Sequence, residues 1–209
     1  LEGLRQCCDR ENGLSSYLRL STTPIDQALF QPALDRLGQE ELRRRVLAGG
    51  YRIVDAPTVA PEADANDTVI IATAGVMVPE AIAAARLLHA EGVAATVLNL
   101  TSPQRLFQEW QARQRWLMGL ENGARPAIHL DEIIHEGERR APIVTVQDGA
   151  SHALAWLGSV YGAPSVSLGV DEFGQSGTRH DLYRHYGIDA EHIASAAFAM
   201  LDRRDGIVM

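Results

Sequence analysis

From Tyr51 onward, short apolar segments alternate with longer stretches that have the composition of helices, and this alternation limits the possible folds more than any other feature. The apolar segments are rich in Val, Ile and Leu, as expected of strands that are buried on both faces. Strands that alternate with helices favour parallel crossovers. We therefore predict an α/β fold, a doubly wound and mostly parallel sheet of about five strands with helices on both faces. The predicted strands span 67–75, 93–100, 142–147 and 165–170, and the predicted helices span 78–91, 102–120, 150–161, 179–186 and 190–203.

The first 50 residues do not show this alternation. Residues 16–21 alternate polar and apolar side chains like a strand, and a single strand has to join a sheet elsewhere. Residues 24–50 have the composition of a linker with one or two helices and end at Gly49-Gly50. These patterns place a domain boundary near residue 50. Further along, residues 124–141 are expected to form a polar excursion from the sheet.

Composition excludes several classes of function. The 209 residues are 46% hydrophobic with a net charge of −8, and all 19 basic residues are arginine, so chemistry that needs a lysine of this chain is excluded. The acidic balance without a basic run argues against a nucleic-acid partner. No apolar stretch reaches the ~20 residues of a membrane span. Two adjacent cysteines, Cys7 and Cys8, suit a reducing, cytoplasmic compartment.

Two local patterns resemble ligand sites, although each has a simpler structural explanation. Gly75 follows a predicted strand and precedes a helix, a position that can bind phosphate, but it lacks the other glycines of a dinucleotide fingerprint. A structural turn is favoured there. A cluster of acids with one histidine could bind a metal from one helical face, and a solvated helix face is favoured instead. The cluster consists of Glu132, His135, Glu136 and Glu138.

Asp148, Ser151 and His152 provide the residue types of a hydrolase. They lie in one short segment without a Gly-x-Ser-x-Gly elbow, so hydrolysis remains a minor hypothesis.

A loop with an unusual sequence lies between the last predicted strand and the following helix, at residues 168–179. Gly174 and Gly177 allow a tight loop, and Gly174→Val should cost stability or dimerisation if the loop needs a glycine conformation. Ser176 and Thr178 can cap the helix, and Arg179 can pair with a carboxylate. Two interpretations remain open: the loop closes the domain, or it contacts another subunit or domain.

This loop resembles the C-terminal domain of thiamine-diphosphate enzymes of the transketolase superfamily. The most similar members are the homodimeric-type, decarboxylating first components of pyruvate dehydrogenase. Their Asp-x-Phe-Gly-x-Ser-x-Thr-Arg segment is represented here by Asp171, Phe173, Gly174, Ser176, Thr178 and Arg179. Their helix-turn-helix ending is represented by Leu182, Tyr183, Tyr186, Asp189, Glu191, His192 and Ile193.

The resemblance extends over most of the chain. Residues 97–102 are similar to the strand of the family that ends in Thr-Ser, and residues 138–142 are similar to its approach to the third strand. Residues 3–5 and 17–22 resemble the last helix and the last strand of the middle, pyrimidine-binding domain. The resemblance therefore implies three parts: the end of a pyrimidine-binding domain at 1–23, a linker with a helix at 24–50, and the C-terminal α/β domain at 51–209.

The resemblance implies a fragment of a larger 2-oxo acid (pyruvate) dehydrogenase, which performs oxidative decarboxylation and transfers the acyl group to a lipoyl carrier. Thiamine diphosphate and magnesium would be bound by domains absent here, so no catalytic, cofactor or metal residue is carried over and the fragment alone should be inactive. The implied partners are a second copy in a homodimer, the preceding domains and a lipoyl-bearing acyltransferase component. The alternatives are a free-standing, non-catalytic interaction or regulatory module, or the tail of a sugar-transferring, transketolase-type enzyme.

Arg19 is the one candidate for a substrate contact. It lies in the predicted strand near the place where transketolases have an arginine for the phosphate group of the substrate. A charge at the edge of a strand is the other interpretation.

Overall fold

The computed structural model describes residues 2–59, 61 and 67–206, with side chains through residue 202. In this part of the chain the strands are β1 (Tyr51–Val54), β2 (Thr68–Thr73), β3 (Ala94–Asn99), β4 (Ile143–Val146) and β5 (Ser165–Leu168). The helices are α1 (Glu2–Cys8), α2 (Gln31–Leu37), α3 (Gln39–Ala48), α4 (Ala56–Val59), α5 (Val78–Ala90), α6 (Pro103–Leu117), α7 (Leu130–Ile133), α8 (Leu157–Tyr161), α9 (Arg179–His185) and α10 (Ala190–Gly206). Among the described helices, none combines the length and the apolar character needed to cross a membrane.

One sheet organises these elements, in the order β1-β3-β2-β4-β5. Strands β3, β2, β4 and β5 are parallel, and β1 joins the β3 edge in antiparallel orientation. Ile71, in the centre, lies beside Val97 of β3 and Val144 of β4. The predicted α/β fold with a mostly parallel, five-stranded sheet is confirmed, and the antiparallel β1 is the strand that the sequence patterns missed.

The first face of the sheet is covered by regular helices. Alternate strand residues point to this side, among them Val69, Ile71, Val97 and Val144, and all four are fully buried. Helices α5 and α10 pack against these strands and against each other. Leu88 of α5 lies in the middle of this core. Burial of apolar side chains, which removes their surface from water, is thus the main interaction on this face.

Residues 27–50 also pack on the first face. Helices α2 and α3 bury Ala33 and Leu42 in the same core. The ring of Phe30 meets that of Tyr51 edge to face, with 6.3 Å between the ring centroids. The helices expected within 24–50 are therefore packed against the sheet.

The second face is covered by α6 together with an irregular stretch around α7. Four residues of this stretch are buried against the strands, so the polar excursion expected at 124–141 is wrong. The apolar residues are separated by charged ones, which hid them as a core segment in the sequence. The buried residues are Ile128, Leu130, Ile133 and Ile134.

A buried ion network joins this irregular stretch to the sheet. Arg52 of β1 is 2% exposed, and its guanidinium donates to both carboxylate oxygens of Glu138, at 2.5 and 2.9 Å. It also donates to Asp55 at 2.5 Å and to the Ile133 carbonyl oxygen at 3.1 Å. Burial opposes ionisation of Glu138, but the contact with Arg52 outweighs it and holds the pKa of Glu138 below its ordinary value. The network pairs every buried charge that it contains.

Residues 16–21 do not form the predicted strand. Between Asp9 and Asp26 the chain has neither helix nor strand, and residues 7–22 are exposed. The edge strands of the sheet are β1 and β5, whereas this segment passes over the carboxyl ends of the strands. The backbone of residues 16–21 consequently pairs with no strand of this sheet.

Candidate functional site

A large crevice opens at the carboxyl ends of β2 and β4. The chain runs from β2 to β3 on one side and then crosses to β4 on the other side of β2. At such a reversal the loops that follow the two strands diverge, and ligands of open α/β sheets bind in the space between them. Here these loops begin at Ala74 and Gln147, and the space has a volume of about 1470 Å³. It is termed the carboxyl-edge crevice below.

Residues 17–23 form one side of this crevice and are termed the roof segment. Arg19 connects the roof segment to the sheet, because its guanidinium donates to the backbone carbonyl oxygen of Asp148 at 2.7 Å. The sequence had placed Arg19 on a strand. The structure brings it to the loop after β4, although these two residues are 129 positions apart.

Aromatic rings form another wall of the crevice. Phe107 of α6 and Trp156 both line it, with their ring centroids 5.3 Å apart. Trp110 stacks behind them on Trp156 at 5.6 Å. This wall supplies apolar contact area next to the polar loops.

The turn after β2 is a structural turn rather than a phosphate-binding site. Gly75 adopts φ +61°, a conformation that favours glycine, and a short turn then leads into α5. Glu80 lies in the first turn of α5, and its carboxylate accepts a hydrogen bond from the backbone N–H of Ala190 at 3.1 Å. A carboxylate beside a helix N-terminus repels a phosphate, so the geometry favours the structural turn.

The hydrolase residue types do not assemble into a triad in the described part of the chain. The backbone N–H of Ser151 donates to Asp171 at 2.8 Å. Asp148 uses its backbone carbonyl oxygen for Arg19. No hydrogen bond joins the Ser151 hydroxyl to His152 among the described contacts, and His152 is exposed.

The acid and histidine cluster is also dispersed. Glu138 is only 7% exposed and binds Arg52, while Glu132 pairs with Arg44 of α3 at 2.5 Å. Within the described residues no group of three or more His, Cys, Asp or Glu side chains is placed to hold a metal ion. The favoured solvated face is wrong for Glu138, because a partner from a distant strand buries it.

The loop of residues 171–178 is exposed along its whole length, yet side chains hold both of its ends. The Tyr186 hydroxyl donates to the Phe173 carbonyl oxygen at 3.2 Å and accepts from the Gln175 N–H at 3.0 Å. Thr178 caps α9 by accepting from the Asp181 N–H at 3.3 Å. The Phe173 side chain is 92% exposed on this fixed backbone.

The loop lies at the crevice, but Gly174 does not have the conformation that would require a glycine. Gly174, Gly177 and Arg179 lie against the carboxyl-edge crevice, while Ser176 is exposed. Gly174 has no positive φ, and a side chain there would meet open space. The glycine conformation expected at Gly174 is therefore not required.

Three polar residues that line the crevice are Asp148, Arg179 and Tyr183 of α9. Burial is the main cause of the raised pKa of Tyr183; Asp148 and Glu80 raise it further and Arg179 lowers it. In the described part of the chain, none of the three side chains has a hydrogen-bond partner.

Comparisons with a family model and with related proteins agree on the family of this chain. Residues 49–189 match the family model of the transketolase-like TK C-terminal domain. The plasmid transketolase of Cupriavidus necator is 30% identical over 194 residues, which are 92% of this chain and 23% of that protein. The pyruvate dehydrogenase E1 component of Mycolicibacterium smegmatis is 32% identical over 152 residues, which are 70% of this chain and 16% of that protein. The chain thus spans less than a quarter of the length of either relative.

Solved structures show the same fold. A structure described as split gene transketolase, inactive beta4 tetramer, has a TM-score of 0.51 and 24% identity, covering 74% of this chain and 43% of that chain. Transketolase from Leishmania mexicana has a TM-score of 0.51 and 19% identity, covering 77% of this chain and 19% of that chain.

Proposed function

The chain belongs to the transketolase-like C-terminal domain family, and from this we propose that it is the C-terminal portion of a thiamine-diphosphate-dependent 2-oxo acid dehydrogenase of the pyruvate dehydrogenase type. Such an enzyme would oxidatively decarboxylate a 2-oxo acid in the cytoplasm and transfer the acyl group to the lipoyl carrier of an acyltransferase component. The observation that carries the proposal is the segment from Asp171 to Arg179, which lies inside the matched region. The 32% identity with a pyruvate dehydrogenase E1 component supports it.

A transketolase-type, sugar-transferring enzyme is the second candidate. It is favoured by the similarity to the Cupriavidus necator transketolase, which covers 92% of this chain. Both candidates would use the same cofactor.

The residues described here do not fit thiamine diphosphate and magnesium. A diphosphate-bound magnesium ion needs oxygen ligands that converge, and the described side chains offer no such group of three. The acids that line the crevice are Asp26 and Asp148, and Arg19 and Arg179 line it as well. No chemical step is therefore assigned to this chain, and its proposed contribution is to support the assembly.

The preceding domain is the proposed neighbour of residues 1–23. Five large apolar side chains within this stretch are between 67% and 88% exposed, which is unusual for so short a segment. A domain that covers them would also supply the sheet that residues 16–21 need. Arg19, which uses one N–H donor for Asp148, keeps others for a substrate group. The exposed residues are Leu4, Leu14, Tyr17, Leu18 and Leu20.

The 171–178 loop is the proposed contact between subunits of a homodimer. A fixed backbone presents Phe173 without the entropy cost of ordering a mobile loop, and aromatic anchors of this kind dominate many interfaces. We expect Phe173→Ser to weaken self-association of the chain about tenfold or more. Leu87→Ser on α5, which removes another exposed apolar side chain, is the matched control and should leave self-association unchanged. Sedimentation equilibrium measures both, and equal effects of the two variants would contradict the proposal.

The assigned reaction is tested on the polypeptide that carries this chain in its source. An antibody against the domain isolates that polypeptide, and its mass is compared with the 22.8 kDa of the chain. With thiamine diphosphate and magnesium added, we expect release of carbon dioxide from carboxyl-labelled pyruvate. Transfer of a two-carbon unit between sugar phosphates without decarboxylation would select the second candidate. A 22.8 kDa product without either activity would support a non-catalytic module instead.

A further inference from the structure

The edge of the sheet at β5 carries backbone groups that have no hydrogen-bond partner in the described part of the chain. On the inner side of β5, Ile143 of β4 donates to the Pro164 carbonyl oxygen at 2.9 Å, and the register places Ile143 beside Ser165. In a strand, the N–H and C=O groups of one residue point to the same side, and successive residues alternate between the two sides. The N–H and C=O groups of Ser165 and Ser167 therefore point away from β4, towards the open edge.

The sequence of β5 does not protect this edge. Natural edge strands avoid pairing with other chains through charged side chains, proline or a bulge. Residues 165–168 contain no charge and no proline, and their register with β4 is continuous. The Ser167 hydroxyl is turned towards β4, where it accepts a hydrogen bond from the Thr145 hydroxyl at 2.9 Å. A further strand can thus approach the edge without meeting a large or charged side chain.

A second copy of β5 is complementary to this edge. A twofold axis that passes through the edge beside Val166 sets two β5 strands antiparallel, with Ser165 opposite Ser167 of the partner subunit. Residues that oppose each other in this way exchange both of their backbone hydrogen bonds, so every open group of the two serines finds a partner. Val166, which is half-buried against the core of the first face, then lies beside its own counterpart.

The edge also adjoins the surface that was assigned above to the contact between subunits. The 171–178 loop follows β5 directly along the chain and presents Phe173, which is 92% exposed. A strand of four residues is too short to hold a dimer by itself, since stable interfaces bury about 1,200–2,000 Å². The loop would supply apolar contact, and the backbone of β5 would fix the relative direction of the two subunits.

We propose that the β5 strands of two subunits pair in antiparallel orientation and join the two five-stranded sheets into one continuous sheet. This inference rests on the homodimer of the proposed function and names the element that each subunit offers to the other. The first faces of the two subunits continue into each other, because opposite residues of an antiparallel pair lie on the same face.

Substitution of Ser167 tests the pairing by sedimentation equilibrium of the 209-residue chain. Ser167→Pro removes the N–H that points to the partner and keeps the hydrogen bonds between β5 and β4, as proline does where the N–H of an edge strand faces outward. We expect it to raise the dissociation constant of the dimer about tenfold or more. Ser167→Ala, which removes only the hydroxyl that contacts Thr145, is the matched control and should associate like the parent chain.

Phe173→Ser in the same experiment separates this inference from the homodimer on which it rests. If Phe173→Ser dissociates the dimer and Ser167→Pro does not, the subunits associate through the loop and the pairing of β5 is wrong. If neither variant changes the association, both the loop contact and the pairing of β5 are wrong.

Hydrogen exchange of the unsubstituted chain gives a second readout, which does not depend on the folding of the proline variant. We expect the amides of Ser165 and Ser167 to exchange about tenfold or more slowly in the dimer than in the diluted monomer. The amides of Val166 and Leu168 point to β4 in both states and serve as the internal reference. Exchange of the two serine amides at the same rate in both states would overturn the proposal.

Discussion

The two faces of the sheet are covered in different ways. On the first face α5 and α10 satisfy their own backbone hydrogen bonds, so apolar side chains such as Leu88 complete the packing. On the second face the irregular stretch around α7 leaves backbone carbonyl oxygens without helical donors. Buried side chains supply those donors: Arg52 to Ile133 at 3.1 Å and Arg113 to Pro126 at 3.1 Å. Irregular backbone can thus cover a sheet when long polar side chains replace the missing main-chain bonds.

A second ion cluster on this face has the same role as the network around Arg52. Arg113 of α6 forms a double contact with the Asp131 carboxylate, which also accepts from the Tyr161 hydroxyl at 2.7 Å. Arg139 lies over the Tyr161 ring, 5.1 Å from its centroid. Burial opposes ionisation of Asp131, but the contact with Arg113 outweighs it and lowers the pKa of Asp131. The second face is consequently the more sensitive one to loss of a single charge.

The largest effect is expected from Arg52→Met. It removes the shared cation and leaves Glu138 and Asp55 without their partner, which should lower the free energy of unfolding by about 3–5 kcal/mol. Urea unfolding at pH 7 measures the loss. The double variant Arg52→Met/Glu138→Leu removes one of the two stranded charges, that of Glu138, and should be more stable than the single variant. A double variant that is less stable would show that the network itself, rather than the stranded charge, dominates.

The matching change on the first face is Leu88→Ala. Leu88 is fully buried among apolar side chains, so the cavity should lower the free energy of unfolding by about 2–4 kcal/mol. No charge loses its partner, and we expect the same loss at pH 5 and pH 7 in urea unfolding. A loss that changes with pH would contradict the separation between the two faces.

The smallest effect that distinguishes the two faces is the decline of the free energy of unfolding at acid pH. The pKa values of Glu138, Asp131 and Asp55 are lowered by their arginine partners against the opposing effect of burial. A carboxyl group whose pKa is lower in the folded state stabilises the fold above its unfolded pKa and loses that contribution as the pH falls through the folded value. The free energy of unfolding should therefore decline below about pH 4.5, and less steeply in Arg52→Met/Glu138→Leu than in Leu88→Ala. Identical slopes in both variants would contradict this.

Much of the first face could be predicted from the sequence. Strands β2, β3 and β4 fall inside the predicted segments, because a strand buried on both faces needs a largely apolar run. Strand β5, which alternates Ser with Val and Leu and is only partly buried, also falls inside its predicted segment. Strand β1 was missed because it is four residues long and has Arg52 in its middle. Residues 16–21 have the alternation of a strand but no partner in this sheet, which local pattern does not reveal.

The candidate site could be predicted only in part. The loop at 171–179 stands out by its glycines and by its resemblance to a family, and the structure places its second half at the crevice. The roof over that crevice could not be predicted, since Arg19 and Asp148 lie 129 positions apart. Tyr183 was singled out only within the resemblance to the family, because no local pattern shows that it lines a crevice together with Asp148 of a distant loop.

The sequence by itself determined the order of strands and helices and hence the parallel sheet, because periodic burial of side chains is a local property of the chain. Tertiary structure alone decided which charges are buried and which face solvent. Glu138 has the sequence context of a solvated residue, and it becomes buried because Arg52, 86 positions away, is brought within 2.5 Å. Asp148 and Arg179 line the same crevice because they follow β4 and β5, which are neighbouring parallel strands. Contacts between distant segments depend on how the elements pack, and no local pattern encodes them.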